Sequence, residues 1–213
     1  MHAPNQISLA AKASGEPEFR EIGLGPWSET HPGEPRPDDP TSSNYDGRFD
    51  SVLLNDGDRR NVLDRYRYWT VAAIKADLDA RGRHDFEVAV ENWTHDFNIG
   101  SMVRTANAFQ AKRVHIVGPH KWNRKGALMT ELYQHVEHHP SIAELVESWH
   151  HRIAGEIAYE RAKAGAAAIH AHDVAVDGDN KHLHELLAEI DACDARIKEL
   201  QAARVIALDI IPG

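Results

Sequence analysis

The segment with the clearest chemical potential covers residues 98–106 and reads NIGSMVRTA. Gly100 lets the backbone turn tightly and lets a ligand approach it closely. The N–H groups of Ser101–Val103, at the start of a predicted helix, suit a phosphate. Arg104 lies opposite the apolar side of that helix, so its guanidinium is positioned to grip a phosphate or polarise an oxygen. The competing interpretation is a capped core helix that carries a solvated arginine.

A basic segment surrounds this motif in an acidic chain. The net charge is −9, yet residues 97–130 contain no Asp or Glu and carry +6, which leaves −15 for the rest. Phosphate contacts are local, so this segment predicts nucleic-acid binding better than the total charge does. Chance clustering on a solvated surface is the alternative. The six basic residues are Arg104, Lys112, Arg113, Lys121, Arg124 and Lys125.

Strand and helix patterns alternate around the motif. Alternating apolar residues predict a strand at 86–91, and the motif helix then leads to a second strand at 114–117. The further predicted elements are a helix near 125–133, a long helix over 142–157, a strand at 166–170, a helix over 183–200 and a strand at 204–211. Such alternation predicts an α/β fold with a mostly parallel sheet flanked by helices.

Composition divides the chain into three parts. Residues 1–57 hold seven of the ten prolines and an acidic excess, which predicts a mostly disordered leader. Residues 58–82 form a helical connector, because Val62, Tyr66, Trp69 and Ala73 recur at helical spacing. Residues 83–213 form the α/β domain. Its last apolar strand stops in a turn at Pro212-Gly213, so we expect this domain to be incomplete at its C-terminus.

Several other kinds of site are not indicated. The sequence contains no P-loop, no dinucleotide-binding G-x-G-x-x-G after a strand and no G-x-S-x-G elbow. We predict no metal site, because the 15 histidines include no paired H-x-x-x-H set and there is one cysteine. A histidine-rich metal protein remains an alternative. With no secretory pattern and no long apolar run, we expect a cytoplasmic protein without membrane contact.

Residues 91–109, ENWTHDFNIGSMVRTANAF, closely resemble the first signature motif of the SpoU family of RNA 2′-O-ribose methyltransferases, in the SPOUT superfamily. The family pattern N-x-G-x-x-x-R-T-A is met here by Asn98, Gly100, Arg104, Thr105 and Ala106. The family's usual Asp-Pro ahead of the asparagine is replaced by Asp-Phe at 96–97.

The resemblance implies a substrate, a cofactor and roles for residues. Members of the family transfer a methyl group from S-adenosylmethionine to a ribose 2′-hydroxyl of rRNA or tRNA, and they form homodimers. On this resemblance we expect RNA binding and no DNA binding. Arg104 would help to activate the hydroxyl or hold the neighbouring phosphate, and Asn98 would order the site. Gly100 and Thr105 would support the motif. The basic residues Lys112, Arg113, Lys121, Arg124 and Lys125 would contact RNA.

Two further family motifs, which build a knotted cofactor site, do not appear in the sequence. The cofactor-binding residues are therefore unknown and expected beyond Gly213. We interpret the chain as a SpoU-type methyltransferase whose knot region is missing and which is inactive in this form. The alternative is a noncatalytic RNA-binding protein or pseudo-enzyme.

Overall fold

The computed structural model describes residues 5–16, 22–93, 98–177 and 179–206. Its fold is α/β, with helices flanking a three-stranded sheet in which the second strand lies between the other two. The strands are β1 His84–Glu91, β2 Ala111–Val117 and β3 Val136–His139. The helices are α1 Gln6–Ala13, α2 Trp27–Thr30, α3 Ser51–Asp56, α4 Val71–Ala80, α5 Ile99–Ala108, α6 Ile142–Asp177 and α7 Asn180–Ala202. The coarse prediction of an α/β fold with a parallel sheet is confirmed.

The described residues form two compact units, and each strand contributes to both. The first unit comprises Met1–Val88, Asp96–Val114 and Trp122–Val136. In this unit the N–H of His84 donates to the carbonyl of Gln110 at 2.9 Å. The N–H of Val114 likewise donates to the carbonyl of His135 at 2.8 Å.

The second unit comprises Ala89–His95, His115–Lys121 and Glu137–Gly213. Here the N–H of Asn92 donates to the carbonyl of Val117 at 2.7 Å. Compared with the pair His84 and Gln110, this pair lies eight residues later in the first strand segment and seven residues later in the second. Residue numbers therefore rise together along the paired strands, which makes the sheet parallel.

The middle strand is buried on both faces, as expected in a parallel sheet covered by helices. Val114, Ile116 and Val117 are at most 1% exposed. The predicted strand at 114–117 is thus present and begins three residues earlier. The pattern analysis missed β3, because its sequence Val-Glu-His-His lacks apolar alternation.

The prediction of disorder over 1–57 is wrong for residues 22–57, which pack against the residues that follow. Trp27 meets the ring of Tyr68 edge to face, with 5.7 Å between ring centroids. The hydroxyl of Tyr68 donates to the carbonyl of Gly25 at 2.6 Å, and Leu24 pairs in antiparallel fashion with Asp58. These aromatic and hydrogen-bonded contacts are the favourable interactions that oppose the entropy cost of ordering a Pro-rich chain.

The single connector helix predicted over 58–82 is also wrong. A short 3₁₀ turn, Asp64–Tyr66, is followed by α4, whose start is capped by the Thr70 side chain. Tyr68 lies between them with a φ of 62°, a left-handed conformation that interrupts a helix. The helix predicted near 125–133 is likewise two 3₁₀ turns, Arg124–Ala127 and Thr130–Leu132.

The strand predicted at 166–170 is part of α6. Residues 164–171 are rich in alanine, the strongest helix former, and contain few β-branched side chains. Ala167, Ala171 and Val174 form a buried stripe that packs against Leu186 of α7. The predicted helix over 183–200 is confirmed by α7.

The last predicted strand, 204–211, is not formed over residues 204–206, and the rest of it lies outside the described residues. Val205 and Ile206 are exposed. In the part of the chain that the structure describes, no helix carries an apolar stretch long enough to cross a membrane.

Candidate functional site

The motif occupies the start of α5, directly after β1. Asn98 stands at the helix N-cap, but its side chain makes no capping hydrogen bond. Its backbone carbonyl accepts the first helical hydrogen bond, from Met102 N–H at 3.0 Å. The sequence predicts that Asn98 or Ser101 caps this helix; Asn98 occupies the cap position without a side-chain hydrogen bond to the helix, and its amide is exposed.

Gly100 meets the protein's own backbone rather than a ligand. A Cβ at this position would lie 2.7 Å from the nitrogen of Ala127 and 2.8 Å from the Cα of Gly126. The two glycines thus let α5 and the Arg124–Ala127 turn approach each other without side chains between them. The predicted role of Gly100 in ligand approach is wrong, and its role is packing.

The buried side of α5 carries Ile99, Val103 and Ala106. Arg104 is exposed, as the helical wheel predicted. The sequence pattern predicts that Met102, Val103, Ala106 and Phe109 share one apolar face of this helix. Val103 and Ala106 are buried as expected, but Phe109 is 66% exposed.

An open pocket with a volume of about 360 Å³ lies between β1 and α5. Its walls are mostly apolar, with neutral polar groups from the motif on one side. The lining residues are Phe86, Val88, Asn98, Ser101, Met102, Thr105, Ala106 and Phe109. Asn98, predicted to order the site, and Thr105, predicted to support the motif, therefore line one pocket.

The sequence did not indicate Phe86 and Val88 as pocket residues, and it indicated Ser101 only through its backbone N–H. Phe86 and Val88 are two apart in β1, so they lie on the same face of the strand. The alternation of side chains along a strand predicts that Phe86 and Val88 share a face of β1. It does not predict that this face packs against α5.

The predicted basic residues fall into two groups. Lys112 and Arg113, on β2, pair with Asp85 and Glu87 on β1 at 3.4 and 3.5 Å. Strand pairing thus brings acidic side chains from outside the basic segment against two of its cations, which lowers their attraction for a phosphate.

The remaining cations, Arg104, Lys121, Arg124 and Lys125, are exposed, and within the described ranges none forms an ion pair. Arg104 lies on α5, and Arg124 and Lys125 lie on the 3₁₀ turn that packs against the start of α5. Lys121 belongs to the second unit. Two of these cations, Arg124 and Lys125, therefore lie on a turn that packs against the start of α5, and Arg104 lies further along the same helix.

Comparison with known proteins does not assign a family. No protein-family model, no curated protein and no solved structure matches the chain. The pocket and the three cations of the first unit therefore provide the basis for a functional assignment.

Proposed function

We propose that the chain is an RNA 2′-O-ribose methyltransferase of the SpoU type, with a SPOUT-like fold, and that the start of α5 binds the RNA. The observation that carries this proposal is the exposed guanidinium of Arg104 on the same helix as Asn98 and Thr105, which line the pocket. The parallel sheet and the helix that follows β1 are compatible with the layout of that family.

Each polar group has a chemical task in this proposal. Arg104 binds the phosphate next to the reacting ribose and favours the developing charge on the 2′-oxygen. Asn98 holds the sugar through its amide, and the apolar walls from Phe86 and Phe109 offer surfaces for base stacking. The 2′-hydroxyl also distinguishes RNA from DNA.

S-adenosylmethionine would supply the methyl group on a positively charged sulfur. The pocket is lined by neutral side chains and, among the described residues, offers no carboxylate for the ribose hydroxyls of that cofactor. These residues do not make a cofactor site, and none of them is assigned to S-adenosylmethionine. This mismatch favours the noncatalytic RNA-binding alternative as the second candidate.

We expect Arg104→Ala to weaken RNA binding about tenfold, because one charge-assisted phosphate contact contributes about 1.4 kcal/mol. Fluorescence anisotropy with a single-stranded RNA measures the affinity, and DNA of the same sequence tests the sugar preference. The matched control is Arg161→Ala, an exposed arginine of α6 outside the basic segment. Equal losses in both variants would contradict a specific role for Arg104.

Methyl transfer separates the two candidate functions. Radiolabelled S-adenosylmethionine is incubated with the chain and either total rRNA or total tRNA. Transfer that disappears in Arg104→Ala but persists in Arg161→Ala supports the methyltransferase. RNA binding without transfer would show that the chain by itself is a noncatalytic RNA-binding protein, and absence of both would reject the proposed function.

The double variant Arg124→Ala/Lys125→Ala tests the cations of the 3₁₀ turn. If both contact phosphates of a single strand, the slope of log affinity against log salt becomes shallower by about 1.4, because each contact contributes about 0.7. Titrations at several salt concentrations give the slope. An unchanged slope would exclude this turn from the RNA-binding surface.

A further inference from the structure

Three side chains of the second unit bring ligand atoms together on one face of the sheet. His115 comes from β2, and Glu137 and His139 come from β3 two residues apart. The Nδ1 of His115 lies 2.9 Å from the Nε2 of His139, and the Oε2 of Glu137 lies 3.5 and 3.9 Å from these two atoms. We propose that these residues bind a divalent transition-metal ion such as Zn²⁺.

The spacing fits a metal of this size. Bonds of about 2.0–2.1 Å at tetrahedral angles place ligand atoms about 3.3 Å apart. The three observed distances lie on either side of that value, so small side-chain rotations suffice to close the site. Two imidazoles and a carboxylate suit Zn²⁺ and leave a fourth position for water.

The burial of the site also fits. His115 and His139 are 2% and 5% exposed, whereas the side chain of Glu137 is 33% exposed. A metal ion can therefore enter on the carboxylate side, while the two imidazoles are held in the interior.

A second layer of contacts comes from α6. The Nδ1 of His139 lies 2.5 Å from the Oε2 of Glu144, which fixes the ring and leaves its Nε2 available as a ligand. Arg152 lies 3.4 Å from the Oε2 of Glu137 and balances the charge of that carboxylate when no metal is bound. A carboxylate behind a metal-binding histidine is the arrangement that raises ligand basicity.

If both imidazoles are neutral, metal binding requires only a change of tautomer at His115. A carboxylate at Glu144 can only accept, so it favours the tautomer in which His139 Nδ1–H donates to it; His139 Nε2 then accepts from His115 Nδ1–H when no metal is bound. When the metal binds, the proton of His115 moves from Nδ1 to Nε2, and the nitrogen lone pairs of both rings become ligands. No oxidant or reductant is required.

The test uses the complete chain stripped with a chelator and titrated with Zn²⁺ against a chromophoric competitor. We expect one ion to bind per chain and the thermal midpoint to rise with the metal concentration. Co²⁺ serves as a spectroscopic probe, because four-coordinate Co²⁺ gives intense visible bands. Absence of saturable binding at micromolar protein would overturn the proposal.

Two variants and a control locate the ion. Glu137→Gln, which keeps the shape of a partly exposed side chain, is expected to weaken binding at least about tenfold, and Glu144→Gln about 10- to 100-fold. The control is His170→Gln, which alters a second close histidine pair among the described residues, His170 with His182, whose Nε2 atoms lie 3.2 Å apart. Full affinity in Glu137→Gln, or loss of binding in His170→Gln, would reject the site at His115. This proposal does not depend on the RNA function.

Discussion

Replacing Asp58 with Ala is expected to lower the free energy of unfolding by about 3–5 kcal/mol, because it leaves a nearly buried guanidinium without its carboxylate. Asp58 is fully buried, and its two oxygens accept from Nε and Nη2 of Arg60 at 2.8 and 2.7 Å. The same carboxylate accepts from the N–H of Tyr68 at 2.9 Å. Urea unfolding of the variant and the wild type measures the difference.

The chain contains a matched control for this variant. Asp46 and Arg48 repeat the same spacing, and Nε of Arg48 donates to Asp46 at 2.9 Å. The side chain of Arg48 is 55% exposed, whereas that of Arg60 is 13% exposed. Asp46→Ala is therefore expected to reduce stability by less than about 1 kcal/mol. Similar losses in the two variants would show that burial is not the cause.

The effect of Asp58 also depends on pH. Burial alone would raise the pKa of its carboxyl, but hydrogen bonds from Arg60 and from backbone N–H groups outweigh burial and hold the pKa below its ordinary value. The stabilisation is fully present above the unfolded-state pKa of about 3.9 and is lost as the pH falls through the folded-state value. The wild type and Asp58→Ala should therefore converge in stability below about pH 4.

Gly100→Ala is expected to reduce stability by about 2–3 kcal/mol, although alanine is the better helix former. The new methyl group would lie within 2.8 Å of backbone atoms of Gly126 and Ala127, and backbone cannot rotate away as a flexible side chain can. The Arg124–Ala127 turn would have to separate from α5, which would also displace Arg124 and Lys125. Urea midpoints and RNA affinity measure both consequences.

Gly155→Ala is the control for this second variant. Gly155 lies within α6, and a Cβ there would meet no atom within 4 Å beyond the adjacent backbone of its own helix. The same substitution should raise stability there by about 0.5–1 kcal/mol. Shifts of the same sign in the two variants would contradict the packing role of Gly100.

The elements that could be predicted from the sequence are those in which the spacing of apolar residues matches the face that is buried in the structure. The first two strands and α7 followed from apolar spacing alone. α6 could be predicted at its start, but its continuation past residue 160 depends on an alanine stripe that gains its buried area only by packing on α7. Three of the four residues of β3 are polar, and the strand forms because β2 offers it hydrogen bonds. Periodicity cannot reveal such tertiary support.

The candidate site shows the same limit. The sequence correctly indicated that Arg104 is exposed, and it selected Asn98 and Thr105, which share a pocket. It could not show that Gly100 serves the packing of two backbones, because its partner is 26 residues away. It also could not bring His115 and His139 together across 24 residues, since only strand register does so.

The contacts between residues 22–57 and Tyr68 have a practical consequence for anyone who shortens the chain. A version that starts at residue 58 would remove the acceptor of the Tyr68 hydroxyl, at Gly25, and the ring of Trp27 beside it. It would also deprive Asp58 of its backbone pairing with Leu24. The aromatic surface exposed to solvent by this truncation would favour self-association. Residues 22–57 should therefore be kept in protein prepared for binding measurements or crystallisation.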